Sequence, residues 1–193
     1  MKRIALLSLA VLASLAVANS AFALSFSVDV PLQFTLDSKF TDTNKTVKAK
    51  DVTSNKADGF ILGASAGWFG LGYEKYDVDL KAVSPGGNFP FTLTYQFYDV
   101  FVNLPFPAIR PVLGYGKGTL NLDTDSTTLA NAHIKPADAT QVFASIGFPV
   151  GPLFDLHVGY HKVNVEDAEF SNSPGNKLKS SGSLWTLGAR LGW

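Results

Sequence analysis

The sequence predicts an all-β protein: an eight-stranded antiparallel up-and-down transmembrane β-barrel that follows a cleaved signal peptide. Three observations lead there. Both ends of the chain beyond residue 23 alternate apolar and polar residues with a period of two, the pattern of strands with one greasy face. Aromatics abound, with 15 Phe, 6 Tyr and 3 Trp, yet no stretch beyond residue 23 can form a membrane helix. The connections between strand patterns alternate long and short, as they do when the two rims of a barrel face different compartments.

The elements follow in order. Met1-Lys2-Arg3 is basic, Ile4 to Val17 is apolar or small, and Ala21-Phe22-Ala23 is an A-x-A cleavage site. Residues 1–23 therefore read as a signal peptide, too short for a membrane helix, and 24–193 as one outer-membrane β-barrel domain. Discounting Lys2 and Arg3 leaves slightly more acidic than basic residues, which gives no reason to expect nucleic acid. The absence of cysteine excludes a disulfide framework, thiol catalysis and a zinc thiolate site. With 46% apolar and only 17% charged residues, disorder is excluded as well.

In the first strand Leu24, Phe26, Val28, Val30, Leu32, Phe34 and Leu36 form the greasy face. Ser25, Ser27, Asp29, Pro31, Gln33, Thr35 and Asp37 form the other, with a bulge or irregularity expected at Pro31 because proline lacks an amide donor. The next strands read as Gly59–Trp68, Leu71–Leu80, Phe89–Asn103, Ala108–Gly118, Thr140–Phe148 and Leu153–Val163. The last ends at Trp193, with Trp185, Leu187, Ala189 and Leu191 on its apolar face and Thr186, Gly188, Arg190 and Gly192 opposite. Within Phe89–Asn103 the faces conflict: Phe91, Leu93 and Tyr95 suggest one orientation, Val100, Val102 and Leu104 the other. A bulge near Gln96–Tyr98 would reconcile them. Connections 39–58, 81–88, 119–139 and 164–181 are long, whereas 69–70, 104–107 and 149–152 are short, and Pro and Gly mark the tight turns.

The leader, the eight amphipathic strands, the stretch Pro111, Leu113, Gly114, Tyr115, Gly116 and the aromatic last residue resemble small outer-membrane β-barrel proteins of Gram-negative bacteria, the broad OmpX/OmpW-like group. The resemblance covers the whole of 24–193 and rests on pattern. Such proteins more often end in Phe than in Trp; the resemblance implies that the last strand is the signal read by the barrel-assembly machinery.

Alternation alone also fits a soluble lipocalin-like barrel, whose apolar face points inward. Glycine-rich polar faces, which suit a narrow filled lumen, and long loops on one rim favour lipid outside. So does an aromatic girdle of Phe26, Trp68, Phe148, Phe154 and Trp193 near the lower rim, with Tyr115, Tyr160 and Trp185 completing the set. The lumen is then expected to hold a structural charge cluster of Asp29, Asp155, Arg190, Arg110 and Asp99. Arg190 should pair with one or both of Asp29 and Asp155, and Arg110 with Asp99 if that residue points inward, because a buried unpaired charge is costly.

No chemistry emerges from the motifs. His157 and His161 share a face but stand about 13 Å apart along a strand, too far to chelate one metal; they read as polar lumen lining. His133 has no partner spaced for chelation. Asp123-Thr-Asp125-Ser126 opens like a calcium loop, but Thr128 and Ile134 stand where Gly and Glu belong. Gly114-Tyr-Gly116-Lys-Gly118 lies inside a strand pattern, so it is no phosphate cradle. No His has a Ser two residues away, as a barrel lipid hydrolase would need. The first long loop carries Lys39, Lys45, Lys48, Lys50 and Lys56 diluted by Asp42, Asp51 and Asp58. It reads as a solvated mixed-charge loop, with lipopolysaccharide phosphates the alternative partner.

The expectation is a monomeric outer-membrane barrel without cofactor, metal or enzymatic activity, in contact with outer-membrane lipids and lipopolysaccharide. Its rigid stem would present loops for structural or interaction roles. A narrow conduit for small hydrophobic molecules, or a soluble carrier, are the competing classes.

Overall fold

The computed structural model describes residues 24–37, 39–41, 46–48, 52–53, 56–84, 87–104, 106, 108–123, 136–166, 168–169 and 177–192. The expectations for residues 1–23, Asp125, Ser126, His133 and Trp193 lie outside them. Eight long strands form the wall: β1 (Leu24–Leu36), β2 (Ala57–Ala66), β3 (Phe69–Ser84), β4 (Gly87–Asn103), β5 (Arg110–Asp123), β6 (Ala137–Pro149), β7 (Phe154–Val165) and β8 (Gly182–Gly192). Each pairs antiparallel with its neighbour in sequence, and β8 pairs with β1 to close the ring. A second, four-stranded sheet joins 39–41, 46–48, 168–169 and 177–179 beyond the upper rim.

The lower half of the wall obeys the expected alternation. Leu24, Phe26, Val28 and Val30 are exposed on the outer surface, as are Leu62, Leu71, Val100, Leu113, Ile146, Val158 and Leu187. The inner face carries Ser65, Asp29, Asp155, His157, Thr186 and Arg190, all buried. Glycine and serine leave these larger groups room to meet in a narrow lumen.

The upper half inverts it. Inside stand Phe34, Tyr76, Val78, Leu80, Leu93, Tyr95, Phe97, Leu120, Val163 and Leu184, packed into one apolar cluster. Outside, Thr94 Oγ1 donates to Asp77 Oδ1 at 2.6 Å and Thr92 Oγ1 to Asp79 Oδ1 at 2.8 Å, across directly opposed rungs of β3 and β4. Membrane-type packing thus gives way, within the same strands, to the packing of a water-soluble barrel.

Two expectations change as a result. Phe34 does not continue the greasy outer face of β1 but lies fully buried inside, with Leu36 packed against the same cluster. The register shifts between Pro31 and Gln33, and an extra residue reverses which side chains point inward. In β4 no bulge occurs at Gln96–Tyr98; pairing with β3 and β5 runs on without a shift. Leu93 and Tyr95 face inward on a regular strand because the surroundings change along it. The strand itself does not.

Candidate functional site: a side-chain-filled lumen inside an apolar belt

An apolar belt fixes where the barrel meets its surroundings. From Leu24 to Leu32 every second residue of β1 is an exposed aliphatic or aromatic side chain. That run is about the nine residues a tilted strand needs to cross a hydrocarbon layer. Phe26, Trp68, Tyr115, Phe148, Phe154, Tyr160 and Trp185 are all exposed, as a girdle requires. The upper edge is built from ring contacts between neighbouring strands: Phe60 with Tyr73 at 6.0 Å, Tyr73 with Tyr98 at 5.4 Å, and Tyr160 with Trp185 at 5.0 Å. Tyr73 and Tyr98 escaped the sequence reading. They stand directly opposite each other, a relation visible only once β3 and β4 are in register.

The lumen places Asp29, Asp99, Asp155 and Arg190 inside and buried, with Arg110 half-buried beside them. The partners differ from those expected. Arg110 donates to Asp155 Oδ2 at 3.0 Å, and Asp99 accepts from Gln141 Nε2 at 2.8 Å. Asp99 lies opposite Gly116, six residues up β5 from Arg110 and so about 20 Å away along the strand. Arg190 reaches across the lumen to Asn103 Oδ1 at 3.2 Å rather than closing on either carboxylate. His157 takes that place. Its Nε2 lies 2.7 Å from Asp29 Oδ1 and its Nδ1 3.3 Å from Asp155 Oδ1. With both carboxylates ionised, hydrogen bonds to the two of them need N–H on both ring nitrogens, the imidazolium form. Arg190 remains within electrostatic reach of Asp29 and Asp155.

Halfway up, His161 stacks on Phe143 with centroids 4.9 Å apart and approaches Glu74 Oε1 at 3.2 Å. Among the described residues, both Glu74 oxygens and Thr186 Oγ1 lack a hydrogen-bond partner. They border a cavity of ≈ 40 Å³ between the lower network and the aromatic cluster, room for about two or three waters. Above it the lumen is shut. Tyr95 stacks on Tyr76 at 5.1 Å, contacts Phe34 at 5.2 Å and Phe97 at 6.4 Å, and donates from its hydroxyl to Ser180 O at 2.9 Å.

No protein-family model matches the sequence, and neither does any curated protein. Solved structures do match in fold. The chain is similar to Neisserial surface protein A, with a TM-score of 0.56 and 12% identity over 89% of this chain and 96% of that one. It is also similar to outer membrane protein W of E. coli, with a TM-score of 0.52 and 11% identity over 89% of this chain and 97% of that one. The fold is that of the small outer-membrane barrels. At these identities the likeness speaks for architecture alone.

Proposed function

We propose that this chain is an integral outer-membrane protein of a Gram-negative bacterium that acts as a closed, rigid stem. It is exported by removal of residues 1–23, is inserted by the barrel-assembly machinery through its last strand, and works as a monomer. The observation that carries the reading is the inversion along the wall: apolar outside and polar inside below, polar outside and apolar inside above. Only the lower half suits acyl chains; the upper half suits water on its outer face. The barrel therefore stands in lipid and carries a raised collar beyond it, on which the loops are displayed for structural or interaction roles. Neither nucleic acid nor a cofactor enters this reading. Both described lumen histidines face carboxylates, an arrangement suited to holding the wall together and unsuited to activating a nucleophile.

A conduit for small hydrophobic molecules is the weaker reading. Such a path would have to pass the Phe34–Tyr76–Tyr95–Phe97 cluster and then a charged network. The test has two arms. The protein should fractionate with outer membranes and resist alkaline carbonate, and planar bilayers containing it should show no discrete conductance steps. Recovery as a soluble periplasmic protein would remove the membrane assignment, whereas regular conductance steps would favour the conduit.

A further inference from the structure

Three short turns close the lower rim: 67–68 between β2 and β3, 104–109 between β4 and β5, and 150–153 between β6 and β7. The segments around them, 67–72, 100–109 and 144–154, contain no Asp, Glu, Lys, Arg or His. The charged residues nearest to them along the chain are Glu74, Asp99, Arg110 and Asp155. Three of these are buried in the lumen, and Arg110 bonds to the fourth strand's neighbour there, Asp155. What the rim does present is apolar. Phe69 is 72% exposed, Val150 63% and Phe106 55%, with Trp68 and Leu153 beside them.

The backbone of the rim is equally short of free donors. Pro105, Pro107, Pro111, Pro149 and Pro152 have no amide hydrogen at all. The N–H groups of Leu104, Phe106 and Val150 donate to the carbonyls of Pro111, Leu104 and Phe154 at 2.9, 3.0 and 2.9 Å. Gly192 N–H closes on Leu153 O at 2.8 Å, and Asn103 N–H on Trp68 O at 2.7 Å, which ties two turns together. Internal pairing of this kind is what hydrocarbon demands of a backbone and what a turn in water can do without.

A second observation is the length of the belt on the β3–β5 side. Asp77 stands on the outer face of β3, held there by Thr94, and exposed Lys75 lies two residues below it. Hydrocarbon can therefore cover at most 69–76 of β3, eight residues, and six if Lys75 marks the edge. On β5 the seven residues 110–116 lie below exposed Lys117. A tilted strand needs about nine to eleven residues to cross. Two or three missing residues of a tilted strand are worth roughly 5–8 Å.

We propose that the three short turns are inserted among lipid acyl chains instead of standing in water, so that the barrel ends inside the lower leaflet and makes up its missing length with Trp68, Phe69, Phe106, Val150 and Leu153. The inference rests on the membrane reading above and adds a depth to it. Lipid is chosen over a protein cap because the apolar rim continues the belt without a break, through Phe69 and Leu71 on β3 and through Phe148 and Val150 at the end of β6. A strand too short for its bilayer can also be met by thinning of the bilayer, which would leave the turns at the head groups.

The chain has no cysteine, so single cysteines report position directly. Val150→Cys and Phe106→Cys probe the rim, Val158→Cys the belt and Thr35→Cys the exposed face of the collar. Each full-length variant is inserted in phosphatidylcholine vesicles, checked by carbonate extraction and labelled with bimane. Emission is then quenched by acyl-brominated phosphatidylcholine or by aqueous iodide. The rim labels should behave like the label at 158, losing most of their emission to brominated lipid and little to iodide, with Thr35→Cys the reverse. Rim labels quenched by iodide as at 35 would overturn the proposal, whether the cause is a thinned bilayer or a rim left bare for a protein partner. Should a rim variant not fold, W185F/W193F confines described indole emission to Trp68, and the same two quenchers decide. Loss of the protein in carbonate, or iodide quenching at 158, would instead reject the membrane reading itself.

Discussion

Asp29 and His157 meet at 2.7 Å across a strand that contributes only Gly188 between them. Both lie opposite that glycine, Asp29 from β1 and His157 from β7. A Cβ at 188 would run into the Asp29 carboxylate and fall 2.6 Å from His157 Nε2. The device recurs on the other side of the lumen, where Asp99 and Gln141 face each other over Gly116. A narrow barrel brings second-neighbour strands close enough to pair only where the strand between them carries no side chain.

Gly188→Val should therefore be destabilising by about 1–3 kcal/mol through overpacking, with any loss of the ion pair added to it. Gly151 is the control, since nothing lies within 4 Å of a Cβ built there. Urea unfolding in lipid vesicles measures both. Equal midpoints for Gly188→Val and Gly151→Val would show that the lumen has slack which the geometry denies.

His157 outranks Arg190 in the lower network. His157→Leu strands Asp29, while Asp155 keeps Arg110, and should cost about 3–5 kcal/mol, the range for breaking a buried pair. Arg190→Leu breaks a bond to the neutral Asn103 and should cost less, although it also thins the positive charge near both aspartates. A double mutant cycle with Asp29→Leu provides the check. If His157→Leu/Asp29→Leu recovers none of the loss, the two side chains are not coupled.

The inversion between lower and upper wall gives a third expectation. Leu187→Arg and Val158→Arg set a charge against acyl chains and should cost about 2–4 kcal/mol. Thr94→Arg points outward as well, but beside Asp77 on the collar, and should stay within about 0.5 kcal/mol of wild type. Comparable penalties at Thr94 and Leu187 would place lipid around the whole wall and remove the collar.

The lower wall was legible in the sequence because its period and its polarity agree. From Leu24 to Pro31, and from Trp185 to Leu191, greasy means outside throughout. The upper wall was not, because Leu93, Tyr95 and Phe97 keep the period while the meaning of apolar reverses. A strand leaving lipid for water cannot signal the change except through its partners, here Asp77 and Asp79 on β3. Phe34 was misplaced for a different reason: Pro31 marked an irregularity, but the parity flip follows only from the register with β8. The inward side of Asp29, Asp155, Arg110 and Arg190 could be read from alternation, whereas that of Asp99 could not, because the apolar pattern of its strand points both ways. Their pairing could not, since strand stagger separates Asp99 from Arg110 and places His157 between two aspartates.

Tyr76 and Tyr95 stack with centroids 5.1 Å apart, both fully buried, yet their hydroxyls have opposite standing. Tyr95 donates to the carbonyl of Ser180, just before β8, and so ties the connection between β7 and β8 to the core. The Tyr76 hydroxyl has no partner among the described residues. Tyr95→Phe keeps every ring contact but leaves a buried carbonyl without its donor, which should cost about 1–2 kcal/mol. The loss should be local as well as global, so proteolysis within 166–181 should quicken. Tyr76→Phe removes a polar atom that burial has separated from water without replacement. It should be neutral or stabilising by up to about 1 kcal/mol, because nothing is left unpaired behind it. The two substitutions are the same chemical change at stacked neighbours, so differences in lipid, detergent and unfolding method cancel between them. Unfolding midpoints that move in the same direction by similar amounts would mean that the Tyr95–Ser180 bond contributes nothing to the closed upper lumen.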